Sequence, residues 1–228
     1  DIDGFGSYKL YFVPYVESNG YNHIDTAIVS HYHQDHVEGI INILKSVRVD
    51  RIIAPAICDY YSESMMEWVQ KLKSAAKDNG AEICYISENT RFTFDSGLVI
   101  DVYASDNSLG ELNENDTTIP VKVTYGSFSA LYTGDLSMEG EKSLVKRADV
   151  DTDVLKVSHH GSRNSSCEEF ISAVSPEIAV ISCGTDNVYG HPHKETLERL
   201  QSAEVLRTDL MKDIKITVKK DGSYKVKR

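Results

Sequence analysis

The sequence predicts an α/β fold in which two sheets pack face to face with helices outside, a four-layer αββα sandwich. Three observations predict it. Short apolar runs alternate with amphipathic stretches at both ends of the chain. A strand-rich stretch lies between them, over residues 83–133. No internal repeat or low-complexity linker divides the 228 residues, so they read as a single domain over 1–228. A three-layer doubly wound domain is the competing arrangement.

The elements follow in order. Residues 24–30 (IDTAIVS) form a buried strand leading into a histidine cluster, and 40–45 a short helix. RIIA at 51–54 is a strand stopped by Pro55. Residues 64–77 form a helix, with a Ser64/Glu67 capping box, an apolar stripe of Met65, Trp68, Val69 and Leu72, and an Asn79-Gly80 stop. Strands are expected at 83–86, 91–94, 98–103, 120–125 and 130–133, interrupted by a polar loop over 105–118. Then come a helix at 138–145, a strand at 154–157 and a helix at 166–174 behind a Ser165/Glu168 capping box. A strand at 178–181 and a helix at 193–203 precede a hairpin, 214–218 with 223–226, around Asp221-Gly222.

Composition bounds the function. With 35 acidic and 24 basic residues the formal charge is −11, and 41% of residues are hydrophobic. That is a folded globular protein, and its charge argues against a partner gripped through a basic face. No apolar run is long enough to span a membrane, and no signal-peptide pattern opens the chain. Cys58, Cys84, Cys167 and Cys183 form no CxxC pair, so neither a cysteine zinc site nor a disulfide framework is indicated. They are expected to be free, mostly buried thiols.

The eight histidines carry the chemistry. Seven of them, 31, 33, 36, 159, 160, 191 and 193, fall in three clusters, each just past an expected strand. Loops in those places carry chemistry in α/β folds. In Ser30-His31-Tyr32-His33-Gln34-Asp35-His36, His31 and His33 point the same way along an extended segment. Four ligand-type side chains in six residues can serve two adjacent metals, zinc or manganese. Gly134-Asp135 ends a strand, and a carboxylate there can bridge two cations. Ser158-His159-His160-Gly161-Ser162 leads into a helix, where backbone and hydroxyl donors can hold a phosphate and one histidine can act as general acid. In Tyr189-Gly190-His191-Pro192-His193, one histidine reads as a metal ligand and the other as a supporting or substrate-contacting group. His23 reads as a surface or packing histidine, and residues 212–228 as a solvated edge hairpin.

Together these residues resemble the metallo-β-lactamase superfamily: HxHxDH at 31–36, Gly-Asp at 134–135 and a late histidine after a strand. More narrowly, SHHGS at 158–162, the NxYGHPH run at 187–193 and Leu206-Arg207-Thr208-Asp209 resemble the soluble domain of the ComEC family of competence DNA-uptake channel proteins. Phosphorylcholine esterases and RNase J-like nucleases are similar in the same motifs. The resemblance implies two divalent ions, one held by His31 and His33, the other by Asp35, His36 and His191, with Asp135 bridging both. It implies His160 and His159 facing the scissile phosphate, Asp35 in the catalytic set, and Ser162 and His193 toward substrate. The superfamily's usual histidine some 20 residues before the bridging Asp is missing here. Asn115 or Asp116 stands in that interval, and an oxygen ligand favours manganese over zinc. Residues 1–4 resemble the end of the family's opening strand, so the first hairpin is expected to be absent.

The implied activity is metal-dependent hydrolysis of a phosphodiester, specifically a nuclease that degrades the non-imported DNA strand during competence. A hydrolase of a small phosphodiester, choline-phosphate ester or lactone competes with it, and so does a non-catalytic docking domain. Two divalent ions bring the charge from −11 to about −7, so the domain alone should hold DNA weakly. Delivery by a tethered channel of a bacterial inner-membrane protein, on the side away from the cytoplasm, is the implied setting.

Overall fold

The computed structural model describes residues 12–227. The expected remnant of an opening strand at residues 1–4 therefore lies outside the described residues. The chain divides into two compact units, Asp1–Ser87 and Glu88–Arg228.

In the first unit, helix α1 (Val13–Ser18) precedes strands β1 (His23–Ile28), β2 (Arg48–Pro55) and β3 (Glu82–Ile86). The strands pair in parallel in the order β1-β2-β3. Parallel neighbours need crossovers, which helices α2 (Gln34–Ile43) and α3 (Glu63–Asn79) supply. The second half of β2 is apolar without alternation, with Ile52, Ile53 and Ala54 all buried. α3 buries Met65, Val69, Leu72 and Ala76, and each of the three larger side chains contributes roughly 1.5–3 kcal/mol. Gly80 ends α3 at φ +80, a left-handed stop that favours glycine. Asn79 ties that end down, its Nδ2 donating to Leu44 O and Val47 O while its Oδ1 accepts from Val49 N–H.

Three expectations are corrected here. α2 starts at Gln34, not at residue 40, because His33 is already the extended N-cap residue. Ser62, not Ser64, caps α3 by accepting from Met65 N–H. β3 joins the parallel sheet through β2 and is no part of the strand-rich middle.

The second unit is built on seven strands: β4 (Thr90–Thr93), β5 (Leu98–Val102), β6 (Val121–Tyr125), β7 (Phe128–Tyr132), β8 (Val154–Lys156), β9 (Ile178–Ile181) and β10 (Glu204–Arg207). They lie in the order β10-β9-β8-β7-β6-β5-β4. From β4 to β7 neighbours are antiparallel, and from β7 to β10 parallel. Helices α5 (Met138–Arg147), α6 (Glu168–Val174) and α7 (Lys194–Arg199) make the crossovers. Leu144, Phe170, Ile171, Val174 and Leu200 pack with Leu131, Leu155, Ala179 and Ile181 on one face. Phe128, Ala130, Val154, Ile178 and Leu206 alternate with these onto the other face.

That other face meets the hairpin of β11 (Lys215–Val218) and β12 (Tyr224–Lys227), which follows the short helix α8 (Thr208–Met211). Ile216, Val218, Tyr224 and Val226 pack against it, so the basic tail is an apolar cover on one side and not a fully solvated edge. The loop expected over 105–118 contains a short helix α4 (Asn107–Gly110) and a 3₁₀ turn at Glu114–Thr117. All four cysteines are free, but only Cys167 is buried; Cys58, Cys84 and Cys183 are partly exposed. Among the described residues no helix is long and apolar enough to cross a membrane.

Candidate active-site clusters

The first unit carries one cluster at the carboxyl end of β1. Val29 N–H still donates to Ile53 O, the last rung beside β2. Residues 30–33 then run extended into α2. Tyr32 points into the core, fully buried, and its hydroxyl donates to Pro55 O at 2.7 Å. Alternation therefore turns His31 and His33 together to the other side, and His31 Nε2 lies 3.0 Å from His33 Nδ1. The His36 ring sits 4.2 Å from that of His31. Ser30 Oγ lies 3.2 Å from His31 Nδ1 and 3.3 Å from His36 Nδ1. Asp35, in the first turn of α2, is half exposed, with Oδ2 3.7 Å from His36 Nε2. Two ring nitrogens facing each other at 3.0 Å need a proton or a cation between them, so this donor set fits a divalent ion.

The second unit carries the other residues at the carboxyl ends of its parallel strands. Asp135 follows β7, His159 and His160 follow β8, and Ser182 and Cys183 follow β9. That edge is where ligands bind in open α/β sheets. Asp135 is buried, its Oδ2 3.7 Å from His159 Nε2 and its Oδ1 3.7 Å from His160 Nε2. His159 and His160 both adopt left-handed backbone, with φ +49 and +54. Two consecutive such residues cost roughly 1–2 kcal/mol each, and the turn is held against that cost. His159 N–H donates to Gly134 O and Ser162 N–H to His159 O, each at 2.9 Å. His160 Nδ1 donates to Ser182 O at 2.8 Å, which leaves Nε2 of the neutral ring with its lone pair toward Asp135. Gly161 follows at φ +85, and a Cβ there would come within 2.6 Å of Pro192 Cβ.

Glu141, on α5, is the organiser of this turn and was not legible as a site residue. It is fully buried. Its Oε1 accepts from Ser166 N–H at 2.7 Å and its Oε2 from Cys167 N–H at 2.9 Å. The expected Ser165/Glu168 capping box is thus replaced: Cys167 is the N-cap of α6 and makes no side-chain cap bond, and the buried carboxyl from α5 serves instead. Ser158 Oγ lies 2.7 Å from Glu141 Oε1 and 2.8 Å from Thr133 Oγ1, while Thr133 Oγ1 donates to Lys156 O at 2.9 Å. Ser158 Oγ donates to Glu141 Oε1, so the carboxyl accepts from one hydroxyl and two backbone N–H groups. Burial pushes that carboxyl up to about 7, against the opposing pull of Ser158 and the two N–H groups. The sequence signal was a glutamate on the face of α5 that also buries Leu144.

The two late histidines have different surroundings. His193 is the N-cap residue of α7, and its Nδ1 accepts from Arg163 N–H at 3.1 Å. Its own N–H donates to Gly161 O. His193 therefore fastens the 158–163 turn, with the ring proton on Nε2. His191 lies among rings, 5.8 Å from His159, 6.5 Å from His160 and 4.9 Å from His193. Burial, followed by the charges of the three other histidines, holds it down to about 4. It is a neutral imidazole at ordinary pH, the form that binds a metal.

Of the two oxygen ligands considered for the missing histidine, Asp116 is committed elsewhere. Its Oδ1 accepts from Ser137 N–H at 2.9 Å and its Oδ2 from Ser137 Oγ at 2.7 Å. Asn115 lies in the same 3₁₀ turn, half-buried, its N–H donating to Asn113 Oδ1. Ser162 is buried, and its Oγ accepts from Asn164 N–H at 3.3 Å. His23 opens β1 exposed, beside Asp25.

Comparison with known proteins places these residues in context. A family profile described as "Metallo-beta-lactamase superfamily" matches residues 14–185. "ComE operon protein 3" of Bacillus subtilis (strain 168) is 33% identical over 200 residues, 86% of this chain and 25% of that protein. "Competence protein ComA" of Neisseria gonorrhoeae is 40% identical over 103 residues, 43% of this chain and 15% of that protein. "Recombination protein 2" of Haemophilus influenzae is 28% identical over 192 residues, 84% of this chain and 22% of that protein. The chain thus spans a quarter or less of the length of these relatives. Among solved structures, "CmlA beta-hydroxylase E377D mutant" superposes with a TM-score of 0.54 at 14% identity, over 82% of this chain and 43% of that one. That likeness is one of fold.

Proposed function

Because the chain belongs to the metallo-beta-lactamase superfamily, we propose that it is a divalent-metal-dependent phosphodiesterase whose substrate is a DNA strand, the one not imported during competence. In this reading His31, His33 and Asn115 would hold one ion and Asp35, His36 and His191 the other, with Asp135 as the shared ligand. The oxygen of Asn115 favours manganese over zinc at the first position. When bound, such ions supply an activated water and positive charge against the phosphoryl oxygens.

The chain's own residues do the rest. The observation that carries the phosphodiester reading is the pair of left-handed histidines whose Nε2 atoms flank Asp135 at 3.7 Å. His160, fixed through Nδ1 by Ser182, gives the leaving oxygen a proton from Nε2 when the ring carries its second proton. His159 Nε2 stands beside the same carboxylate and supports the phosphate. Ser162 and His193 keep the turn in register with substrate.

The DNA assignment is supported by a relative named "Competence protein ComA" that matches 43% of this chain and one named "Recombination protein 2" that matches 84%. The charge of −11 fits a strand handed over by a channel to which the domain is tethered, on the outer side of an inner membrane, better than a strand captured from solution.

The test is a nuclease assay on single-stranded DNA with manganese or zinc, comparing the wild type with Asp35→Ala and His33→Ala. Activity should fall by at least ~10²-fold in both variants, as expected when a metal ligand is lost. Cleavage that survives both substitutions overturns the reading. Turnover of bis-p-nitrophenyl phosphate without any cleavage of DNA assigns the site to a small phosphodiester instead.

A further inference from the structure

We propose that Tyr189 is the stacking platform for a nucleobase next to the scissile phosphate, a subsite that selects single-stranded polynucleotide. The proposal rests on the nuclease reading above and adds the group that recognises the substrate.

The loop between β9 and α7 is tightly held. Asn187 Nδ2 donates to Gly184 O at 2.9 Å and to His191 O at 2.7 Å, and Asn187 Oδ1 accepts from His191 N–H at 2.9 Å. Gly190 N–H donates to Asn187 O at 3.0 Å, and Gly190 takes φ +69. One asparagine thus closes the loop from both sides. Yet its tip presents Val188 at 92% and Tyr189 at 74% exposure. Holding two large apolar side chains out in water on a fastened loop gives folding nothing. It gives a ligand a surface whose ordering entropy is already spent.

The Tyr189 ring is also aimed. It stacks on His191 at 5.7 Å and 23°, and His191 in turn lies 5.8 Å from His159. A base on the open part of Tyr189 extends this row of rings, which runs through His191 to His159. Among the described residues no second Tyr, Phe or Trp ring stacks on Tyr189. A quaternary ammonium is usually boxed by several aromatic faces, whereas a flat base needs one.

Charge points the same way. A protein at −11 gains little from counterion release along a phosphate backbone. Base–aromatic stacking contributes roughly 1–3 kcal/mol per base without regard to net charge or sequence.

The experiment uses the manganese-loaded chain and a phosphorothioate-protected oligodeoxynucleotide with one cleavable linkage. It is compared with the same strand carrying an abasic sugar on one or the other side of that linkage. Tyr189→Ala should raise KM for the intact strand about tenfold or more with little change in kcat, and Tyr189→Phe should retain the wild-type KM. An abasic sugar on the stacking side should cost the wild type the same factor and cost Tyr189→Ala nothing further. An unchanged KM in Tyr189→Ala overturns the proposal while leaving the nuclease reading intact. So does an equal loss on intact and abasic strands together with loss of bound manganese, which would make Tyr189 a prop for His191. A loss confined to p-nitrophenyl phosphorylcholine would assign the ring to a quaternary ammonium and overturn it too. A wild type that cleaves no strand at all overturns both readings at once.

Discussion

Glu141 meets Ser158 at 2.7 Å between Oε1 and Oγ: a carboxyl from the first turn of α5 reaches the first residue of the turn that carries His159 and His160. The same oxygen takes the Ser166 N–H that leads into α6. One side chain therefore sets the start of the turn and the start of the helix after it.

Burial raises the Glu141 carboxyl, which gives stability a defined pH dependence. Its folded value, about 7, lies above the unfolded 4.5, so the folded state binds the extra proton. Stability from this group is complete below pH 4.5 and is lost as pH rises through 7. The loss is at most about 3 kcal/mol. Urea melts at pH 5 and pH 7.5 should show it in the wild type and show much less of it in Glu141→Gln. Parallel behaviour of the two proteins would refute the assignment.

His191 and His193 are separable by metal content. His191→Ala should lower manganese or zinc affinity by at least ~10-fold. His193→Ala should keep the metal and lose about 1 kcal/mol, the worth of the hydrogen bond from Arg163. Equilibrium dialysis with elemental analysis reads the first, and denaturant titration the second. The reverse result would exchange the two roles.

Gly161 should tolerate nothing larger. Alanine there combines a left-handed φ of +85 with a 2.6 Å approach to Pro192 Cβ. Gly161→Ala is expected to cost roughly 2 kcal/mol or more and to lower kcat, because relief of the clash moves the histidine turn. Wild-type stability and rate would show that the turn and Pro192 are not in register.

Asp116 and Asn115 are neighbours with different duties. Asp116→Ala removes both acceptors from Ser137 and should cost about 3 kcal/mol while sparing metal content. Asn115→Ala should leave the melting temperature nearly unchanged and weaken manganese binding. Metal analysis on both variants decides it, since loss of metal from Asp116→Ala in a folded protein would reverse the assignment.

Much of this was legible because the signals were local. Ile178–Ile181 and the stop at Gly80 follow from short-range pattern and backbone preference. The histidine clusters stood out because ligand spacing is itself a sequence property. What stayed hidden depended on distant parts of the chain. α6 is not capped by its own serine, because Glu141 arrives from another helix with a stronger acceptor. β3 reads like a meander strand but pairs with β2, since its partner was set by the crossover through α3. Asp116 looks as good a ligand as Asn115 until Ser137 is seen to occupy both of its oxygens.

The change from antiparallel to parallel pairing between β7 and β8 bears on the order in which the second unit assembles. β4 to β7 are neighbours in sequence, and most of that meander needs only short loops to close. β8 reaches β7 only after residues 133–153 have folded back, and β9 and β10 each wait on a further helix. The histidine turn and Tyr189 hang from this late half, and Asp135 opens the crossover into it. In hydrogen exchange the meander amides should outlast those of β8 to β10, and mild denaturant should silence catalysis before it melts the meander.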